Sequence, residues 1–134
     1  MGSVINRFDT HAEQKGTHSR LLQTYGDGAK AFVEDLKKSG HFKDTLVMTF
    51  SEFGRRIKQN ASRGTDHGKA NNMFLIGDNL KGAGIFNEMS DLTEDDDGDV
   101  AYAIDFRSVY AEILEKWLEA DSSVILGRKF EHIA

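Results

Sequence analysis

An almost continuous apolar and β-branched run at residues 45–50 (TLVMTF) most constrains the fold of this chain. A strand with apolar residues at successive positions buries both faces, which is typical of a central strand in a parallel sheet. A second run of this kind follows at residues 72–77 (NMFLIG). The polar, glycine-bearing segment of residues 51–71 between them is longer than an ordinary connection, and loops of this length tend to be functional or mobile.

Helical periodicity appears on either side of these two runs. From Thr17 to Leu36 apolar residues recur every three or four positions, and Gly40 is suited to ending that helix. A second helix is predicted to open at Asp105, its N-cap, with one apolar face made by Val109, Ile113, Leu114, Trp117 and Leu118.

A further short strand is predicted at residues 3–8, before the first helix. The order of strand, helix, strand, long loop, strand and helix predicts an α/β fold with a largely parallel sheet flanked by helices. A length of 134 residues suits one domain, so we expect residues 1–134 to form a single α/β unit.

Composition excludes several classes of partner and site. The net charge is −5 and the basic residues are scattered, so nucleic acid is not an expected partner. No apolar run approaches the ~20 residues that span a bilayer, so no membrane association is expected either. The absence of Cys rules out disulfides, thiolate metal sites and a cysteine nucleophile.

The segment Asp9-Thr10-His11 is the first candidate site. If the strand continues through it, Asp9 and His11 project from the same face, where a carboxylate and an imidazole can converge on a metal. The alternative is a strand-terminal turn without a ligand. The acidic residues 94–99 are a poorer candidate, since they lack the leading Asp and closing Glu of a calcium-binding EF-hand and indicate a solvated loop.

Two further candidates lie within and beside the long loop. Glu52 directly follows the first apolar run, and strand carboxyl ends are favoured places for a ligand or base, although Ser51 and Glu52 can equally start a short helix. Asp66 and His67 are adjacent and followed by Gly68, so they can supply a metal ligand and its orienting carboxylate, or be purely structural.

Taken in order, four blocks resemble an uncharacterised sulfatase-like family, catalogued as a domain of unknown function and placed in the alkaline-phosphatase superfamily. The blocks are Phe8-Asp9-Thr10-His11, residues 45–55 (TLVMTFSEFGR), 64–68 (GTDHG) and 104–110 (IDFRSVY). The resemblance covers nearly the whole chain. It implies a partial alkaline-phosphatase and sulfatase-like fold, of which this chain is the C-terminal portion, with the nucleophile and the first metal-binding Asp in a preceding portion.

The resemblance also assigns roles to single residues. It implies that Asp9 and His11 bind one metal together with His67, with His18 as a rival to His11. Where superfamily members have an Asp-His pair for a second metal, this chain has Glu52 and Phe53. A phenyl ring cannot coordinate a metal, so Asp66 with His67 is the alternative pair.

Two functions follow as hypotheses. The first is a metal-dependent hydrolase of small anionic phosphate or sulfate esters, inactive as this portion alone, with Glu52 and Arg55 as catalytic residues and Asp9, His11, Asp66 and His67 on a divalent metal (zinc, manganese or calcium). The second is a non-catalytic binding or structural module. A partial domain leaves apolar surface exposed, so self-association is also expected. Family members often bear an export signal, which implies a periplasmic parent protein.

Overall fold

The computed structural model describes residues 8–89, 91–93 and 97–133. The chain divides into two compact units, Met1–Ala101 and Tyr102–Ala134, and each is described by itself. That residues 1–134 fold as a single unit, the C-terminal part of a larger domain, stays a prediction. Calorimetry tests it, because one cooperative transition is expected of one folding unit.

The first unit opens with a long helix, α1, over Gln14–Ser39. This confirms the predicted helix, although it begins three residues before Thr17. Gly40 adopts the left-handed conformation (φ 77°), and the N–H of His41 donates to the Leu36 carbonyl over 2.9 Å, which closes the helix end. Leu21 is buried on the inner face, where the Tyr25 ring lies 6.2 Å from the ring of Phe74.

A single 3₁₀ turn, Phe42–Asp44, leads into four short strands: β1 Leu46–Met48, β2 Gly54–Arg55, β3 His67–Gly68 and β4 Leu75–Gly77. They form two separate two-stranded sheets. In the first, β1 pairs antiparallel with β4, with Leu46 opposite Gly77. In the second, β2 pairs antiparallel with β3.

The predicted fold class is therefore wrong: the described residues contain no large parallel sheet, and the partial alkaline-phosphatase and sulfatase-like fold is not observed. A parallel pair needs a crossover, usually helical, between its strands. Residues 51–71 instead form the small β2–β3 sheet, and the chain re-enters beside β1 in the opposite direction. Strands β1 and β4 are also only half-buried, whereas the apolar runs suggested burial on both faces.

The predicted first strand and the acidic run are only partly covered by the described residues. Residues 3–7 of the predicted first strand and residues 94–96 of the acidic run lie outside the described residues, while residues 8–10 form no regular strand. The end of the acidic run is not a purely solvated loop, because Asp99 is buried and its carboxylate accepts from the N–H of Lys69 over 3.3 Å.

The second unit contains helix α2, Phe106–Lys116, and helix α3, Ser122–Leu126. Asp105 caps α2 as predicted, accepting from the N–H of Arg107 over 2.9 Å. Small residues, Ala111 and Ser122, are fully buried here. Of the helices in the described part of the chain, none is both long and apolar enough to cross a bilayer.

Candidate metal centre

Backbone pairing brings three distant segments of the first unit together. The β2–β3 pairing sets Arg55 directly opposite His67. A bridge between Ala12 and Arg63 ties the start of α1 to the long loop. Gly64 permits this approach, since a Cβ at that position would collide with the backbone of His11. Residues 9–11 and 66–67 therefore meet although more than 50 positions separate them.

Asp9, His11 and His67 converge as one cluster. The Oδ1 atom of Asp9 lies 2.8 Å from Nε2 of His67 and 3.0 Å from Nε2 of His11. The two imidazole Nε2 atoms are 3.3 Å apart. All three side chains are about half exposed, so an ion from solvent has access to the three donor atoms.

These separations fit the ligands of one small cation. Bonds of about 2.0–2.1 Å at tetrahedral angles put neighbouring ligand atoms roughly 3.3 Å apart, close to the spacing of this cluster. Three protein ligands leave a fourth position for water or substrate, as in catalytic zinc sites. Two imidazoles and one carboxylate suit zinc or manganese better than calcium, which takes oxygen ligands.

Asp66 contacts His11 rather than its neighbour His67. Its Oδ1 atom is 3.3 Å from Nδ1 of His11, which favours a proton on Nδ1 and leaves Nε2 free to bind a cation. The carboxylate of Asp66 thus faces the imidazole of His11, from a different segment, and not that of the adjacent His67 with which it was paired in the prediction. Asp66 itself stands outside the group of three donors.

Arg55 holds the segments in place. Its Nη1 donates to the carbonyl of Thr65 over 2.7 Å and its Nη2 to the carbonyl of Phe8 over 2.5 Å. Nη2 also lies 3.3 Å from Oδ1 of Asp9. The guanidinium of Arg55, predicted as a catalytic residue, thus pairs with Asp9, and its contacts are those of a positioning group.

The carboxylates of the cluster stay ionised readily. The pKa of Asp9 is lowered chiefly by its hydrogen bond to His67, with smaller contributions from the charges of His11, His67 and Arg55. The pKa of Asp66 is lowered first by the hydrogen bond from Asn60 and then by that to His11. Both carboxylates are therefore anionic at neutral pH, as metal coordination and imidazole orientation require.

His18, the rival ligand, lies in α1 and is engaged elsewhere. Its Nε2 atom is 2.8 Å from Oγ1 of the buried Thr10, and its ring packs edge-on against Phe8 at 5.6 Å. Thr10 faces away from its neighbours Asp9 and His11 toward this contact. The geometry brings His11, not His18, to the cluster.

Glu52 is exposed and, within the described part of the chain, its side chain makes no hydrogen bond or ion pair. It is not among the three donors, and no helix starts at Ser51. Phe53, which cannot bind metal, stacks on the His67 imidazole instead, with ring centroids 3.8 Å apart and planes 5° from parallel. The ring fixes one face of His67.

Sequence reasoning missed Asn60, which uses every hydrogen-bonding position of its side chain. Nδ2 donates to the His11 carbonyl over 3.0 Å and to Oδ1 of Asp66 over 3.1 Å. Oδ1 accepts from the N–H groups of Ser62 and Gly64, both over 3.0 Å. An Asn two residues before a Ser signals a local turn, but nothing in the sequence signals its contact with His11, 49 positions away.

Comparison with known proteins gives one family and no individual relative. Residues 3–126 match a family described as a protein of unknown function, DUF1501. Neither the curated proteins nor the solved structures yield a match. The expected membership of a family of unknown function is thus confirmed, while its link to sulfatases stays a hypothesis. Because the match extends over most of the 134 residues, this chain belongs to the DUF1501 family.

Proposed function

We propose that Asp9, His11 and His67 hold a divalent metal ion and that this centre serves the hydrolysis of phosphate or sulfate esters. The observation that carries the proposal is the convergence of one carboxylate oxygen and two imidazole nitrogens within 4.8 Å of one another. The donor set favours zinc, then manganese, over calcium. When bound, such an ion polarises an ester oxygen and lowers the pKa of coordinated water.

The protein's own residues have distinct parts in this proposal. Asp66 keeps the proton of His11 on Nδ1, and Arg55 holds the carboxylate of Asp9 beside the two imidazoles. Glu52, which is exposed and precedes the Phe53 that stacks on His67, keeps its proposed role as a base. The resemblance to sulfatases supports the ligand positions, but it does not extend to the fold.

A small anionic ester is the proposed substrate class. A groove of about 450 Å³ is lined by Asp66, which contacts His11, and by the cations of Arg56 and Lys58. These cations are exposed and can pair with an anionic group outside the reacting bond. Asp66 and Asp97 on the same groove favour a small substrate over an extended polyanion.

We further propose that this chain is inactive alone and that the group accepting the phosphoryl or sulfuryl moiety belongs to another part of the parent protein. The two hydroxyls nearest the ligands in sequence are occupied: Thr10 is buried against His18, and Thr65 donates to Gln14 over 3.0 Å. Export of that parent protein belongs to the same proposal and rests on the resemblance alone.

Metal content tests the proposal. Tag-free protein is loaded with zinc or manganese, dialysed and assayed by inductively coupled plasma mass spectrometry beside Asp9→Ala, His11→Ala and His67→Ala. Near-stoichiometric metal is expected in the wild type and loss in each variant. His18→Ala tests the rival ligand and His41→Ala, an exposed histidine outside the cluster, is the matched control. Equal amounts of bound metal in the control and the ligand variants would contradict the proposal.

A second candidate is a non-catalytic module that binds another copy of the chain. Between β4 and the second unit, large apolar side chains face solvent, with Ile85 and Met89 exposed by 90% and 86%. Such surface favours self-association. Sedimentation velocity across a concentration series is expected to show a dimer that weakens in Ile85→Ser/Met89→Ser. A monomer at the highest concentration contradicts this candidate.

A further inference from the structure

Asn60 connects the two residues on which the geometry of His11 depends. One N–H of its amide fixes the His11 backbone carbonyl, and the other fixes the Asp66 carboxylate that faces the His11 ring. The side-chain amide of Asn60 therefore positions both the main chain and the imidazole of His11. A rotation of that amide moves both.

The oxygen atom of the Asn60 side-chain amide is also held by hydrogen bonds. The side-chain oxygen Oδ1 of Asn60 accepts from the N–H groups of Ser62 and Gly64, and Gly64 lies against the backbone of His11. The Asn60 N–H in turn donates to the Gly64 carbonyl over 2.8 Å. With both donors and both acceptors engaged, the side chain has one orientation that satisfies all four bonds.

We propose that Asn60 is the positioning residue of the metal centre, setting the direction of His11 Nε2 through Asp66 and the His11 backbone. This inference rests on the proposed function. Asn60 is not among the three donors, and its Oδ1, the atom through which an amide side chain binds a metal, already accepts two hydrogen bonds. Its effect is on how well His11 is pre-organised for binding, as outer partners of metal ligands do elsewhere.

The test is zinc affinity, measured by competition with a chromophoric chelator, in wild type and Asn60→Ser. Serine adds no charge and retains an acceptor for the turn, but it cannot reach both His11 and Asp66. We expect the zinc Kd to rise about tenfold, the lower end of the range for outer-shell partners. Asn79→Ser is the matched control, since Asn79 also donates to a backbone carbonyl, that of Lys43, outside the cluster.

A merely structural role is separated by a double-mutant cycle with Asp66→Ala, which removes the carboxylate that Asn60 contacts. If Asn60 acts largely through Asp66, then Asn60→Ser raises Kd less than threefold on the Asp66→Ala background, and the two changes are not additive. Cobalt substitution gives a second readout, because a displaced His11 alters the visible ligand-field bands of Co²⁺. Fully additive effects and an unchanged cobalt spectrum would overturn the positioning role.

The outcomes separate the two proposals. Zinc binding in the wild type that is equal in Asn60→Ser and Asn79→Ser removes the inference and leaves the metal centre standing. Wild-type protein that binds no zinc removes both. Should Asn60→Ser unfold, as judged by circular dichroism, Asn60→Thr also keeps an uncharged acceptor oxygen for the turn and carries the same test.

Discussion

The loops of the metal centre and the helices of the C-terminal unit are both joined by side-chain hydrogen bonds, but at very different sequence separations. His67 reaches Asp9 across 58 positions, whereas Ser122 reaches Glu115 across seven. The first set links exposed groups, and the second includes a fully buried hydroxyl. The centre thus depends on loops kept in register, while the helical unit depends on local packing, and substitutions should affect the two separately.

The sharpest test of that separation is Gly64→Ala. A methyl group there collides with the backbone of His11, so the loop must shift. We expect about 3 kcal/mol of lost stability, the upper part of the range for overpacking, together with a large loss of metal affinity. Denaturant unfolding and chelator competition measure the two effects.

Gly28→Ala is the control for that change. Gly28 lies within α1 with open space around it, so alanine should stabilise the helix by about 0.5–1 kcal/mol and leave metal affinity unchanged. If Gly64→Ala behaved like Gly28→Ala, the close approach of residues 11 and 64 would not be a feature of the folded protein.

The second prediction concerns the helical unit. Ser122→Ala removes the hydroxyl that donates to Oε1 of Glu115 over 2.5 Å in a fully buried position. A hydrogen bond to a charged group contributes about 2 kcal/mol, so the free energy of unfolding should fall by that amount. The fluorescence of Trp117, the chain's one tryptophan, reports the unfolding. Ser123→Ala, whose hydroxyl bonds only to the exposed cap Asp121, should cost under about 0.5 kcal/mol. A change in metal affinity in either variant would contradict the claim that the two regions respond separately.

The third prediction is a pH dependence confined to the same unit. The hydrogen bonds from Arg107 lower the pKa of Asp105 from 3.8 to about 2. A carboxyl group with a lowered folded-state pKa stabilises the fold above its unfolded pKa and loses that effect as pH falls toward the folded value. The Asp105 contribution should therefore be complete near neutral pH, weaken below about pH 4 and vanish near pH 2.

Two substitutions separate the charge of Asp105 from its capping role. Asp105→Ala should cost about 1 kcal/mol at pH 7, the usual effect of losing an N-cap. Asp105→Asn keeps a capping oxygen and should cost less, while flattening the decline between pH 4 and pH 2. Urea titrations read by Trp117 at pH 7 and pH 3 measure both. An Asn variant that retained the full acid dependence would assign it to another group.

The same contrast explains which features the sequence could predict. Short-range sequence patterns predict helix α1, its end at Gly40 and the Asp105 cap, and the structure confirms them. They do not predict the direction of β4 beside β1, because an apolar run is compatible with parallel or antiparallel pairing. The course of the loop between the strands determines that direction. Candidate ligands Asp9, His11 and His67 were recognisable by residue type and resemblance. The parts of Asn60 and Asp66 depend on contacts about 50 positions apart, which no local pattern encodes.

The smallest effect is expected from removing an exposed charge in the loop region, which tests whether surface charge contributes to its stability. Arg63 forms an ion pair with Glu13, and both side chains are largely exposed. Solvent screens such a pair, so Arg63→Gln should cost under about 0.5 kcal/mol. The backbone remains tied, since the N–H of Gln14 donates to the Arg63 carbonyl over 3.0 Å whatever the side chain. Metal affinity should therefore be unchanged. A loss above about 1 kcal/mol, or weaker metal binding, would mean that surface charge rather than backbone pairing keeps the loops in register.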